Sequence, residues 1–248
     1  MINFVAAFAW IGDPAHWVGP NGIPVRMWEH IWYSGITLLI AAVIAIPIGL
    51  AIGHTGRGRG FAVSVSGALR AIPTLGLVVF LSLELTAPDL IPPLIALTLL
   101  AIPPVLAGAY AGVDAVDKGT VDAARAMGMT ELQVLRKVEL PLALPLLIGG
   151  LRAAMLQVIA TWTVAAFLPV GGLGRYLIDG LPIRAYDEML AGSILVVALA
   201  LVTDGVFAII QRLVVPRGVV VSRVADVRVK TSRRRAVVGV PTQESTTE

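Results

Sequence analysis

Residues 122–141 read Asp-Ala-Ala-Arg-Ala-Met-Gly-Met-Thr-Glu-Leu-Gln-Val-Leu-Arg-Lys-Val-Glu-Leu-Pro. The stretch is charged and amphipathic, yet it lies between two long apolar blocks. Asp122 is expected in the first turn of a short helix, with Thr120 or Asp117 as N-cap, where a carboxylate suits the positive end of the helix dipole. Ala123, Ala124 and Ala126 are strong helix formers with little bulk, so another protein surface can approach the backbone closely. Gly128 can take positive φ and end that helix. Thr130-Glu131-Leu132-Gln133 has capping-box spacing for a second helix, Glu131–Glu139. Leu132, Leu135 and Val138 form its expected apolar stripe. Pro141, after Leu140, suits a turn into the next apolar block. The result is a helix–glycine–helix plug.

Around it the chain is 57% hydrophobic and 14% charged, against about 25% charged in a typical soluble domain. Mean hydropathy is +0.85. Five apolar segments stand out: Ile31–Gly53, Ala71–Leu85 (extending back toward Phe61), Leu90–Gly112, Leu142–Leu168 and Met189–Ile210. Helices of this length cross a hydrocarbon core of roughly 30 Å. The fold class is therefore all-α, a polytopic membrane protein with about five transmembrane helices. Pro47, Pro73 and Pro103-Pro104 interrupt these segments, which is tolerated where neighbours satisfy the freed carbonyls.

Arg57 and Arg59 follow the first helix, and Lys118, Arg125, Arg136 and Lys137 follow the third. A basic run from Arg212 includes Arg233-Arg234-Arg235. The alternate loops hold Arg26, Arg175 and Arg184. Basic residues mark cytoplasmic loops, so the 122–141 stretch and the C-terminus face the cytoplasm and the N-terminus is outside. Trp10, Trp17, Trp28 and Trp32 gather before and at the start of the first helix, as an interfacial belt would. Three regions result: an extracytoplasmic or interfacial segment 1–30, a transmembrane domain 31–211 carrying the cytoplasmic loop 114–141, and a basic tail 212–248 read as solvated, with lipid contact the alternative. No cleavable signal peptide is evident.

Some chemistries are excluded. There is no cysteine, hence no disulfide and no thiol catalysis. His16, His30 and His54 lie outside the apolar runs, so no metal site is expected in the membrane. The pI of 9.6 reflects loop and tail basicity and does not imply nucleic acid. Lys118, Lys137 and Lys230 are the only lysines, and none sits in a phosphate-binding loop. No cofactor is implied, and ATP hydrolysis by this chain is not expected.

The spacing Asp122-Ala123-Ala124, Gly128, Val138, Leu140-Pro141 resembles the cytoplasmic loop of binding-protein-dependent ABC importer permeases, whose pattern is Glu-Ala-Ala, three residues, Gly, nine residues, Ile, one residue, Leu-Pro. Asp122 stands for Glu and Val138 for Ile; both keep the chemistry. The resemblance spans about Glu29 to Gln211. Within the superfamily it is nearest the glycine betaine, carnitine and choline (osmoprotectant) permeases, through Gly53–Gly58, Leu69–Leu75, Asp122–Thr130 and Gly171–Gly180. It implies a type I ABC importer permease fold in a bacterial plasma membrane. It also implies three partners: an ATPase subunit, a second permease subunit or copy, and an extracytoplasmic binding protein. Asp122, Ala123, Ala124, Gly128, Leu140 and Pro141 would couple to the ATPase.

Other residues carry two readings each. Arg70 is a gate residue or an arginine reaching the cytoplasmic interface. Asp204, in the fifth helix, lines a pathway or packs helices. Thr161, Trp162 and Thr163 line a pathway or pack the core, and Trp162 could face a quaternary ammonium. Gly171, Gly172 and Gly174 form an external gate or a plain hairpin. Rival functions are a permease for methionine or another amino acid, a secondary transporter, and an intramembrane protease or phosphatase. A secondary transporter fits poorly because no internal repeat is seen, and an intramembrane enzyme because no acid–base constellation is.

Overall fold

Apolar segments become helices because a backbone in hydrocarbon must satisfy its own polar groups. The computed structural model describes residues 2–214; beyond Val214 the expected tail lies outside the described residues. In chain order the helices are α1 (Ile2–Gly12), α2 (Ile23–Thr55), α3 (Arg59–Ala71), α4 (Thr74–Glu84), α5 (Ile91–Asp114), α6 (Lys118–Ala126), α7 (Glu131–Val134), α8 (Leu140–Ala165), α9 (Arg175–Ile183) and α10 (Tyr186–Val214). Among the described residues there is no strand. The first crossing starts earlier than expected, because Gly22 and Pro24 form a helix start ahead of the apolar run.

Four helices, α2, α5, α8 and α10, are each long and apolar enough to cross a membrane. The remaining expected crossing is a bent pair, α3 and α4, meeting at 85°. The continuous segment expected from Phe61 to Leu85 is therefore broken. Ile72 is extended, with φ −73° and ψ 126°, which is the conformation a following proline favours. Pro73 then caps α4.

The other prolines do not break their helices. α2 runs through Pro47, and α5 through Pro103 and Pro104. Pro104 offers no N–H to the carbonyl of Leu100 four residues earlier. The Gln157 side chain of α8 donates to that carbonyl at 2.9 Å. A neighbouring helix thus supplies the missing hydrogen bond, as the apolar setting demands.

α5 lies between α2 and α8 and is the most enclosed span: 56% of its apolar window is buried, against 11% of α10. The α5–α8 crossing is close. A Cβ added to Gly108 would stand 2.7 Å from the Cα of Gly150. Small residues at a crossing let two backbones pack by dispersion where lipid offers no hydrophobic drive. Trp162 of α8 is buried, stacks obliquely on Tyr33 at 5.1 Å and donates its indole N–H to Thr37 Oγ1 at 3.0 Å.

Candidate functional site

The cytoplasmic loop folds around a small core of its own, in which Val121, Ala124 and Val134 are buried with Val116, Met129 and Val138 against them. α6 is capped by Asp117, whose carboxylate accepts from Thr120 N–H at 2.9 Å. Asp122 is therefore in the second turn, not the first, and the capping role expected near it belongs to Asp117. Asp122 is exposed and pairs with Arg125 at 3.3 Å. Ala123 faces out, while Ala124 packs inward. Gly128 has φ +84° and closes the helix, its N–H donating to Arg125 O at 2.9 Å.

Thr130 and Gln133 form the expected capping box, with Thr130 N–H to Gln133 Oε1 at 2.9 Å and Gln133 N–H to Thr130 Oγ1 at 3.4 Å. The expected helix Glu131–Glu139 is α only to Val134. A π turn, Leu135–Glu139, follows and passes directly into α8. No turn occurs at Pro141. It sits in the first turn of α8, half-buried beside Leu140, where its missing N–H is harmless because the π turn has already shifted the register. The expected apolar stripe is also shifted. Leu132 is 56% exposed while Val134 is fully buried, since the loop's own core lies on the Val134–Val138 side. Met127 and Leu132 are left as an exposed apolar pair.

Sequence reading missed the residue that ties this loop to the membrane helices. His54, in the last turn of α2, places Nδ1 2.5 Å from Glu139 Oε2 and Nε2 3.1 Å from Glu131 Oε2. Both ring nitrogens donate when the imidazole is protonated. Glu139 is 4% exposed. Arg125 forks onto Glu131 with two bonds of 3.0 Å. A chain of polar contacts therefore runs Asp122–Arg125–Glu131–His54–Glu139, from the loop surface to the ends of α2 and α8. His54 and Glu139 are 85 residues apart, so only the alternation of charge types could have hinted at it.

At the opposite end, Gly171 and Gly172, with φ +84° and +81°, fold over the start of α2. Gly172 N–H donates to Glu29 Oε2 at 2.8 Å, and Leu173 N–H to His30 Nδ1 at 3.3 Å. His30 Nε2–H in turn donates to Ile159 O at 3.0 Å, which assigns the neutral tautomer from its partners. Gly174 lies against Thr163 O, where a Cβ would come within 2.4 Å. The three glycines thus form a tight seam between α2, α8 and α9. Tyr176 extends it, donating to Asn21 O at 2.8 Å, and burial pushes its phenol up to about 12. Arg70 is not part of this seam. It is exposed at the end of α3 and, among the described residues, makes no side-chain hydrogen bond or ion pair.

The four residues read together as pathway candidates separate into two places. Thr161 and Thr163 bond back to carbonyls of their own helix, at 2.9 Å to Gln157 O and 3.2 Å to Ile159 O, beside buried Trp162. Asp204 instead meets Arg152 of α8, ten residues before Trp162, about 15 Å along the helix. One edge of the guanidinium engages both carboxylate oxygens, Nε–H donating to Oδ1 and Nη2–H to Oδ2, the latter at 2.5 Å. Arg152, a charge inside an apolar run, escaped the sequence reading.

A glycine-closed helix pair running directly into a membrane helix, in a bundle of four spans and a bent pair, is matched by a known family. Residues 45–218 fit the one described as "Binding-protein-dependent transport system inner membrane component". The chain belongs to this family.

Relatives of this inner membrane component agree. It is 30% identical over 190 residues to the glycine betaine/carnitine/choline transport system permease protein OpuCB of Bacillus subtilis (strain 168), covering 77% of this chain and 87% of the relative. It is 29% identical to the osmoprotectant import permease protein OsmW of Salmonella typhimurium, covering 84% and 99%. Among solved structures it resembles an inward-facing MetNI methionine ABC transporter chain, with TM-score 0.68 and 24% identity over 76% of this chain and 94% of that one. That likeness shows the fold, a type I ABC importer permease. The chain is a multi-pass protein of the bacterial cytoplasmic membrane.

Proposed function

We propose that this inner membrane component is the membrane-spanning subunit of an ATP-driven importer of osmoprotectants: glycine betaine, carnitine, choline or related quaternary amines. One observation carries the reading, the similarity over more than three quarters of the chain to permeases named for those solutes. ATP hydrolysis falls to a partner ATPase, selection largely to an extracytoplasmic binding protein, and a second permease subunit or copy completes the membrane channel. Closure of the ATPase subunits presses on the surface formed by Asp122, Ala123, Met127 and Leu132. The His54 and Arg125 bonds pass that displacement to α2, and the π turn at Leu135–Glu139, leading through Leu140 and Pro141, passes it to α8. The gate reading of Arg70 and of Gly171, Gly172 and Gly174, and the pathway reading of Thr161, Trp162, Thr163 and Asp204, remain part of the proposal. Amino-acid cargo has only a likeness of fold behind it.

The test is labelled-solute uptake in a strain lacking its own betaine importers, supplied with this chain, its ATPase, its second permease and its binding protein. ATP-dependent uptake of a quaternary amine is the expected result. Uptake of methionine and of no quaternary amine overturns the cargo.

A further inference from the structure

Arg152 and Asp204 are the only charged side chains in the middle of the four long helices among the described residues; the others stand within two turns of a helix end. Arg152 is twelve residues into α8, about 18 Å at 1.5 Å per residue, near the middle of that helix. Charge at mid-span is expensive and is rare except where it faces protein or water. Yet the two side chains are 37% and 26% exposed. They open onto a groove between α8 and α10 lined also by Gly149, Ala153, Leu156, Val197, Ala200 and Leu201. The groove is thus an apolar trough with one cation and one anion set side by side in it.

The geometry points to a transient binding site for zwitterions, solutes carrying a carboxylate and a methylated ammonium together. This rests on the osmoprotectant reading above and narrows it. With the groove empty, the two charges neutralise each other and leave no net charge at mid-span. A zwitterion replaces that pairing with two new ones: its carboxylate takes the planar fork of Arg152 and its ammonium takes Asp204, while the methyl groups lie on the trough. The exchange is neutral for neutral, so no charge is left unpaired at any stage of completed binding. Choline brings a cation and only a neutral hydroxyl, so it would leave Arg152 without a counter-charge, at the penalty of an unpaired charge in a weakly polar setting. The site therefore favours glycine betaine or carnitine over choline, independently of the external binding protein.

The experiment uses the full complex with its ATPase and binding protein in proteoliposomes. Uptake of labelled glycine betaine, carnitine and choline is measured together with ATP hydrolysis, in the wild type and in R152Q/D204N, which removes both charges at once. Zwitterion uptake per ATP hydrolysed is expected to fall about tenfold or more, while stimulation of hydrolysis by the liganded binding protein persists. A purely structural pair would lower uptake and hydrolysis in proportion, and that result overturns the site. So does wild-type zwitterion uptake per ATP in the double variant. If R152Q/D204N does not assemble, Arg152→Lys keeps the charge and loses the fork; a smaller fall in the same ratio is expected, and no fall overturns the site. A wild-type complex that carries choline but no zwitterion overturns the site and leaves the osmoprotectant reading intact. Carriage of no quaternary amine at all overturns that reading itself.

Discussion

At the scale of single residues, Gly128 and His54 test the loop from opposite directions. Gly128 has positive φ and open space where a Cβ would point, so a larger side chain meets no clash but strains the backbone, at about 1 kcal/mol or more. Gly128→Val is expected to insert normally, because no apolar segment changes, and to lose transport and substrate-stimulated ATP hydrolysis together. Normal coupled transport by a well-expressed variant removes the glycine from the mechanism. His54 is a question of unpaired charge. His54→Leu leaves the Glu139 carboxylate buried without its partner, a loss of about 1–3 kcal/mol. Thermal unfolding of the detergent-purified complex should show a clear drop for His54→Leu and recovery of most of it in H54L/E139L, which removes both partners. A double variant as unstable as the single one contradicts the pairing.

At the scale of elements, the α5–α8 crossing gives a paired test on adjacent residues. A Cβ on Gly150 would stand 2.7 Å from the Pro104 carbonyl oxygen, whereas one on Gly149 meets nothing within 4 Å. Gly150→Ala should therefore cost folded protein on size-exclusion chromatography, and Gly149→Ala should not. Equal behaviour of the two would mean the helices are not packed at this contact. The same contrast explains what the sequence could disclose. Apolar runs and their length revealed the four spans, and the Asp122–Pro141 spacing revealed the loop, because these are local properties. Of the prolines, Pro73 ends a helix and Pro104 does not; the carbonyl that Pro104 frees is met by Gln157, on another helix, whose reach no local pattern encodes. The π turn was hidden for a related reason. Leu135–Glu139 has an ordinary helical composition, and its widened turn is fixed where the loop core holds Val134 and His54 holds Glu139. Arg152 was visible in the sequence but looked anomalous only once Asp204 was seen opposite it.

At the scale of the whole molecule, contacts across the chain set which ends share a side. Glu29 and His30 meet Gly172 and Leu173, so the start of α2 and the α8–α9 connection lie together. His54 meets Glu131 and Glu139, and Arg59 reaches Asp114 at 3.8 Å, so the end of α2, the end of α5 and the 118–139 loop lie at the other face. The basic residues assign that face to the cytoplasm. Because the chain has no cysteine, single-cysteine variants can be labelled without background. Gly58 and Thr120 should react only from the cytoplasmic side, and Gly19, Asp89 and Asp179 only from outside. Labelling of Thr120 from outside would end the coupling reading. One further property follows from the helix that runs unbroken from Glu131 to Ala165, 35 residues, or about 52 Å. It exceeds the hydrocarbon thickness by roughly 20 Å, so it is a lever with its short arm in the cytoplasm and its long arm across the bilayer. Because the helix is continuous from one arm to the other, a small tilt of the short arm sweeps the far end, near the glycine seam, through a larger arc in the opposite sense.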